Sequence, residues 1–336
     1  MKKNVALLFI GLLTMIVLAA CGSKTKEEVV SDLNEKIGKL KGYKAEAQMT
    51  LKVGEEKQTY NVEVWNKEHQ YYRVELKAAK RDQSQMILRN DTGVYVLTPA
   101  LNKSFRFQSD WPKNSSQAYL YESLVKDILE DKEANFKETK NHYVFETKTR
   151  YQNKQILPYQ EIVFNKKDLT PVSVKVMDTD HNPLVTVKFK NLDLHANFDS
   201  SSFDMKKNMT GAQLEVPVAA NSGDQDFSVQ YPLADLEGTK LVEENELSSD
   251  NGKRVVLTYG GKKSFTIVQE KAHAVEASEP IDLDGEVADL GFAIGSITDH
   301  SLSWTYQGVD YTLASKNLTK QEMIRIASSM QGNPEK

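Results

Sequence analysis

Tyr60-Asn61-Val62-Glu63-Val64-Trp65-Asn66-Lys67-Glu68-His69-Gln70-Tyr71-Tyr72-Arg73-Val74 sets the period for much of the chain. Val62 and Val64 alternate with Asn61 and Glu63, and after a short polar break Tyr72 and Val74 resume the alternation. A period of two places every second side chain on one face, so the segment predicts two antiparallel strands joined by a tight connection. The same period extends in both directions. Upstream, Ala45, Ala47, Met49 and Leu51 alternate with Lys44, Glu46, Gln48 and Thr50. Downstream come Met86-Ile87-Leu88 and Val94–Leu97, separated by the turn Asn90-Asp91-Thr92-Gly93, and then Ser104–Gln108. Strands resume at His142–Lys148, Gln160–Asn165, Pro171–Met177 and Leu184–Phe189. A run of antiparallel hairpins results, with one face on a core or cavity and the other toward water. The inward positions Met49, Leu51, Val62, Val64, Tyr72, Val74, Met86 and Leu88 are candidates to line that cavity.

Helical periodicity precedes the strands once and interrupts them once. Thr25-Lys26-Glu27-Glu28 reads as a capping box, followed by Val30, Leu33, Ile37 and Leu40 at helical spacing, with Gly42 expected to end the segment. Asn114-Ser115-Ser116 offers N-caps for a second helix whose buried stripe is Leu120, Leu124, Val125, Ile128 and Leu129. The fold class is therefore α+β. Residues 211–226 are small and polar and contain Pro217, and they read as a linker. Beyond it, residues 227–336 predict a smaller α+β domain. Its strands are expected at Lys240–Glu244, Arg254–Tyr259, Phe265–Gln269, Ala288–Ile294, Leu302–Tyr306 and Val309–Ala314. A second capping box, Thr319-Lys320-Gln321-Glu322, opens a terminal helix with Met323, Ile324, Ala327 and Met330 inward.

The amino terminus carries an address. Lys2 and Lys3 precede Val5–Leu18, which has no charge and is shorter than the ~20 apolar residues a membrane span needs. The run closes on Leu18-Ala19-Ala20-Cys21-Gly22, and Cys21 is the one cysteine among 336 residues. This resembles the lipobox of bacterial lipoproteins, which implies a signal peptide over 1–20 and diacylglycerol on the Cys21 thiol. Two acyl chains suffice for stable anchoring where one is marginal. The expected location is the extracytoplasmic face of the cell membrane, lipid-anchored.

Composition and spacing exclude most catalytic classes. The chain is 40% hydrophobic and 27% charged, ordinary for a folded protein. Its net charge of −4 gives no general attraction to nucleic acid. One cysteine forbids an intrachain disulfide and a multi-cysteine zinc site. The six histidines are dispersed, with no H-E-x-x-H, and neither a G-x-S-x-G elbow nor a dinucleotide fingerprint occurs. Gly260-Gly261-Lys262-Lys263-Ser264 lacks the first glycine of a phosphate loop and reads as a hairpin turn. Asp178-Thr179-Asp180-His181-Asn182 lacks the distant Glu of a calcium loop and reads as a solvated turn. No catalytic residue, metal site or cofactor is expected, and the protein reads as non-enzymatic.

The order of elements resembles the LolA-like superfamily of lipoprotein carriers. Tyr60–Val74 is similar to that family's strand, Trp-x-Lys, turn, aromatic, strand hairpin. Leu88-Arg89-Asn90-Asp91-Thr92-Gly93-Val94-Tyr95-Val96-Leu97-Thr98-Pro99 resembles its following hairpin. Glu68 stands where the carriers have an Arg after Trp-x-Lys. The whole chain resembles spore-former sporulation or germination lipoproteins of the GerS type. Its tail, Ser303 to Met330, is similar to a firmicute domain of unknown function. The resemblance implies a half-open antiparallel β-barrel over 21–210, lidded by helices over an apolar cavity, with the small domain appended. It also implies binding of lipid or lipoprotein acyl chains. The alternative is a regulatory interaction protein acting on a peptidoglycan enzyme of the envelope.

Overall fold

The computed structural model describes residues 24–53, 56–68, 70–79, 84–112, 115–151, 154, 156–215, 227–234, 236, 238–249, 252–274, 279–283 and 285–331. The signal peptide, Cys21 and most of the expected linker lie outside these residues; 211–215 of that linker are helical.

The alternating segments form β1 (Gly42–Val53), β2 (Glu56–Lys67), β3 (Tyr71–Ala78), β4 (Ser84–Asn90), β5 (Gly93–Thr98) and β6 (Lys103–Phe107). They continue as β7 (Asn135–Glu138), β8 (His142–Lys148), β9 (Tyr159–Asn165), β10 (Pro171–Met177) and β11 (Pro183–Asp193). These strands lie side by side in the order β6-β5-β4-β3-β2-β1-β11-β10-β9-β8-β7. Every pair among them is antiparallel, and β11 returns to β1 with Lys44 opposite Asp193 and Leu51 opposite Val185. β6 and β7 do not pair, so the sheet stays open as a half-barrel. Gly42 starts β1 and does not end the preceding helix. A Cβ there would stand 2.7 Å from the Asn66 carbonyl oxygen, so the close β1–β2 approach requires glycine.

Helix α1 (Lys26–Gly38) opens as expected, with Thr25 and Glu28 exchanging both capping-box hydrogen bonds. Helix α2 (Tyr121–Glu130) starts later than its serines suggest. Leu120 is its N-cap and makes no side-chain cap; Asn114 lies outside the described residues. The first helical amide, that of Tyr121, is satisfied by a tertiary partner instead, and Ser123 of the helix holds the segment before it. The Tyr121 N–H donates to the Tyr43 hydroxyl of β1 (3.3 Å), and the Gln117 N–H donates to Ser123 Oγ (2.8 Å). Leu129, expected in the buried stripe, is exposed.

A buried ionic network fixes α2 to the sheet. Asp127 is 1% exposed. Its Oδ2 accepts from Ser116 Oγ (2.9 Å) and from Gln160 Nε2 (2.5 Å), and its Oδ1 accepts from Arg150 Nε. The Arg150 backbone N–H also donates to Ser116 Oγ (2.6 Å).

The main core fills the concave side of the half-barrel. Val29 and Leu33 of α1, Leu124 and Ile128 of α2 and the inward residues of the sheet belong to one buried cluster. Helix α3 (Met205–Glu215) covers the opposite face. There Met86 and Leu88 join Met205 and Met209 in a second cluster. The expectation that Met86 and Leu88 point into the barrel is therefore corrected. Ile87 pairs with inward Val74, whereas Met86 pairs with Glu75 of the outer face. A run of three apolar residues is buried on both sides, so alternation alone does not tell which residue faces inward.

The C-terminal unit comprises β12 (Tyr231–Pro232), β13 (Thr239–Ser249), β14 (Gly252–Gly261), β15 (Phe265–Lys271), β16 (Ile281–Leu283) and β17 (Glu286–Asp289). It ends in β18 (Ile294–Ile297), β19 (Ser301–Tyr306), β20 (Val309–Ala314), α4 (Lys320–Ser328) and β21 (Met330–Gln331). Seven strands form a second sheet in the order β13-β14-β15-β20-β19-β18-β17, and β12 pairs with β21. The expected strand Ala288–Ile294 is split: Ala288 and Asp289 end β17, Ile294 starts β18, and residues 290–293 turn between them. Gly291 there has φ +85°, and Asp289 Oδ1 accepts its N–H at 2.8 Å.

The two units are joined by more than a linker. β16 adds to β6 as a parallel twelfth strand of the large sheet. Arg106 grips Asp282 with two hydrogen bonds (2.5 and 2.9 Å), Lys103 pairs with Asp310 (2.6 Å), and the Ile294 N–H donates to Gln85 Oε1 (3.0 Å). Apolar residues of both units form one continuous buried cluster.

Candidate ligand-binding cavity

The inward row of β1 begins in packed core and ends on open space. Tyr43, Ala45 and Ala47 are buried among core residues, whereas Met49 and Leu51 border a cavity of about 430 Å³. That volume falls in the ~300–1,000 Å³ range of small-molecule sites. The cavity lies between the open half-barrel and the C-terminal unit. Trp111 and Tyr119, from the segment before α2, form one wall. Val287, Leu290 and Phe292, from β17 and the turn after it, form the facing wall. Leu184 and Val185 at the start of β11 complete the apolar surround.

Of the eight positions proposed from the sequence, Met49 and Leu51 border this cavity. Val62, Val64, Tyr72 and Val74 are buried in the main core and do not reach it. Met86 and Leu88 lie beneath α3 on the other face. The barrel interior is filled by Leu33, Tyr121, Phe145 and Phe164, all essentially inaccessible. Space remains where the half-barrel meets the C-terminal unit. The residues that sequence reasoning missed, Tyr119, Asp289 and Phe292, come from irregular segments or, for Asp289, from the last position of the four-residue strand β17. There neither a period of two nor one of 3.6 marks an inward side chain.

Two carboxyl groups sit in unusual surroundings. Asp289, on the cavity wall, is pushed up to about 6 by loss of hydration, although the Gly291 N–H and Tyr119 hydroxyl partly offset this. Glu122, in the first turn of α2, is pushed up to about 7 for the same reason. Its Oε2 accepts from the Tyr43 hydroxyl at 2.8 Å, and the Tyr72 hydroxyl is a second partner. Both acids hold a proton in the folded state at pH values where the unfolded chain has released it. They therefore contribute stability that is full below about 4 and is lost as pH rises through the folded values. The acids with lowered values, Glu63, Asp168, Asp178, Asp199 and Glu322, act in a lower window. Tm is expected to rise by a few degrees as pH falls from ~7.5 to ~5. In Glu122→Gln that slope should flatten in a thermal melt series. A slope unchanged by the substitution would refute the assignment of the effect to Glu122.

Among the described residues there is no cluster of three or more His, Cys, Asp or Glu side chains placed to hold a metal. The Asp178–Asn182 segment is a turn in which Asp178 Oδ1 accepts from the Asp180 and Asn182 N–H groups (2.9 and 2.8 Å). Gly260–Lys263 connects β14 to β15 as a hairpin turn, with Gly261 at φ +133°. No helix among the described residues is long and apolar enough to cross a membrane.

Comparison with known proteins adds sequence and fold relatives. Residues 2–203 match the family described as sporulation protein YdcC-like. The chain is 53% identical over 335 residues to sporulation protein YdcC of Bacillus subtilis (strain 168), covering 100% of this chain and 99% of that protein. Solved structures match more distantly. A LolA superfamily protein from Nitrosomonas europaea aligns at 11% identity, 54% of this chain, 98% of its own and TM-score 0.31. The Clostridioides difficile structure of the CwlD amidase in complex with the GerS lipoprotein aligns at 20% identity, 53% of this chain, 98% of that chain and TM-score 0.25.

Proposed function

The chain belongs to the YdcC-like family of sporulation proteins, and from that premise we propose that it is a lipid-anchored envelope protein that binds an apolar ligand without catalysing a reaction. Cys21, acylated after removal of residues 1–20, would hold it on the outer face of the membrane. The ligand would be a lipid or a lipoprotein acyl chain. The observation that carries this reading is the apolar cavity of about 430 Å³ between the half-barrel and the C-terminal unit. Burial of apolar surface at ~25 cal/mol per Å² is a non-directional driving force, and acyl chains supply that surface. Among the described residues the wall offers one carboxyl, Asp289, and no nucleophile–base pair of the kind hydrolysis needs.

Native mass spectrometry of the mature chain, followed by lipid extraction, tests the reading. Co-purified acyl lipid near one per chain is expected. A clean apo mass, with no uptake of added fatty acid or lipopeptide, would overturn it.

A second reading is a regulatory partner of an envelope enzyme, such as one acting on peptidoglycan, and the edge strand β13 favours it. Residues 241–248 of that strand are exposed on both faces, and Leu241, Val242 and Leu247 are among them. Large apolar side chains exposed on an unpaired edge mark a surface that a partner can cover. Co-purification of an envelope protein with the anchored chain, lost when Leu241, Val242 and Leu247 become serine, is the result that would favour this reading over the first.

A further inference from the structure

Two cations at the cavity have no neutralising partner among the described residues. Lys52 follows Leu51 in β1 and is exposed, and Arg325 projects from the last turn of α4. Neither has an ion-pair or hydrogen-bond partner among the described residues. Their neighbours are different. On the same helix Lys320 bridges Glu286 (2.9 Å) and Asp299 (3.3 Å), and Lys263 pairs with Glu322 (3.2 Å). The acid of the cavity wall, Asp289, is bonded to the Gly291 N–H and does not pair with Arg325. Leu233, 50% exposed, lies on the same rim. Apolar walls thus lead to a rim that carries exposed apolar surface and two positive charges without a partner among the described residues. The cavity, at about 430 Å³, lies toward the small end of the ~300–1,000 Å³ range of small-molecule sites, which favours a ligand with one acyl chain.

We infer that the cavity takes a single-chain amphiphile with an anionic head, its chain between Leu51 and Phe292 and its carboxylate or phosphate held by Arg325 and Lys52. This rests on the apolar-ligand reading and adds the head-group chemistry to it. A guanidinium matches either oxyanion with two parallel N–H donors, and the ammonium adds a point charge.

The test uses the mature chain, Cys21→Ser, titrated with palmitate, palmitoyl-lysophosphatidate, monopalmitoylglycerol and inorganic phosphate alone. Both anionic amphiphiles are expected to bind roughly tenfold tighter than monopalmitoylglycerol, as charged hydrogen bonds of this kind give. A preference for one of the two would identify the head as carboxylate or phosphate. Inorganic phosphate is expected not to bind measurably. Arg325→Gln should bring the anionic affinities down to the neutral one and leave monopalmitoylglycerol unchanged, whereas Arg325→Lys should keep most of the preference. Equal affinity of all three amphiphiles for the unmodified chain would overturn the head-group assignment alone. So would a preference that survives Arg325→Gln combined with Lys52→Gln, or phosphate binding as tightly as the lipid. A lower Tm in Arg325→Gln with the preference intact would reduce Arg325 to balancing the α4 dipole. Failure of all three amphiphiles to bind would overturn the apolar-ligand reading itself.

Discussion

Replacing Asp127 by alanine is expected to lower the unfolding free energy by about 3–5 kcal/mol, the cost of breaking a buried ion pair from one side. The carboxylate is where α2, the Ser116 segment and the β8–β9 region meet. Without it, the Arg150 guanidinium loses its buried counter-charge and the Gln160 amide loses an acceptor at a position that is wholly inaccessible. Burial outweighs the attraction of Arg150 and holds the Asp127 carboxyl above the usual carboxylate range. The charged pair is therefore costly to break and only weakly stabilising when intact. A second variant separates these effects. Asp127→Leu with Arg150→Met, two apolar groups of similar bulk, should lose much less than the alanine variant, because no charge is left without a partner. Urea unfolding reads both. A loss below about 1 kcal/mol for Asp127→Ala would show that the network does not hold α2 to the sheet.

The second large effect separates the two faces of the sheet. Leu51→Glu is expected to reduce uptake of an apolar ligand by roughly 100-fold or more, since it removes a leucine's contact and puts a carboxylate on the wall the chain would occupy. Leu88→Ala is the counterpart. It is as deeply buried as Leu51, but it packs beneath α3 with Met205 and Met209. It should cost about 2–5 kcal/mol of stability with ligand affinity unchanged in the folded fraction. Affinity measured by fluorescence displacement, beside a denaturant curve for each variant, checks the pair. Equal loss of affinity in both variants would show that the effect passes through stability and not through the cavity.

The local rules that worked did so where the chain repeats a simple period. Alternation of Ala45, Ala47, Met49 and Leu51 against charged residues placed β1 with its inward face correct, because a strand half in water needs one polar face. Thr25-x-x-Glu28 and Thr319-x-x-Glu322 marked both helix starts, since each closes its own orphan amides without tertiary help. The α2 start eluded the same rule. Its first amide, that of Tyr121, bonds to the Tyr43 hydroxyl, which comes from a strand 78 residues earlier in the chain. Met86-Ile87-Leu88 reads as one inward run until α3 covers the outer face.

By itself, then, the sequence determined the antiparallel strands, the two capping-box helices and the α+β class. These rest on interactions between near neighbours, where spacing along the chain equals spacing on a face. Only the tertiary structure decided where the space is. The half-barrel core is closed by Leu33, Tyr121, Phe145 and Phe164, drawn from separate elements. The cavity opens between β1, the segment before α2, the β17–β18 turn and α4. A void is a property of surfaces that meet, and no local period in the chain encodes which surfaces those are.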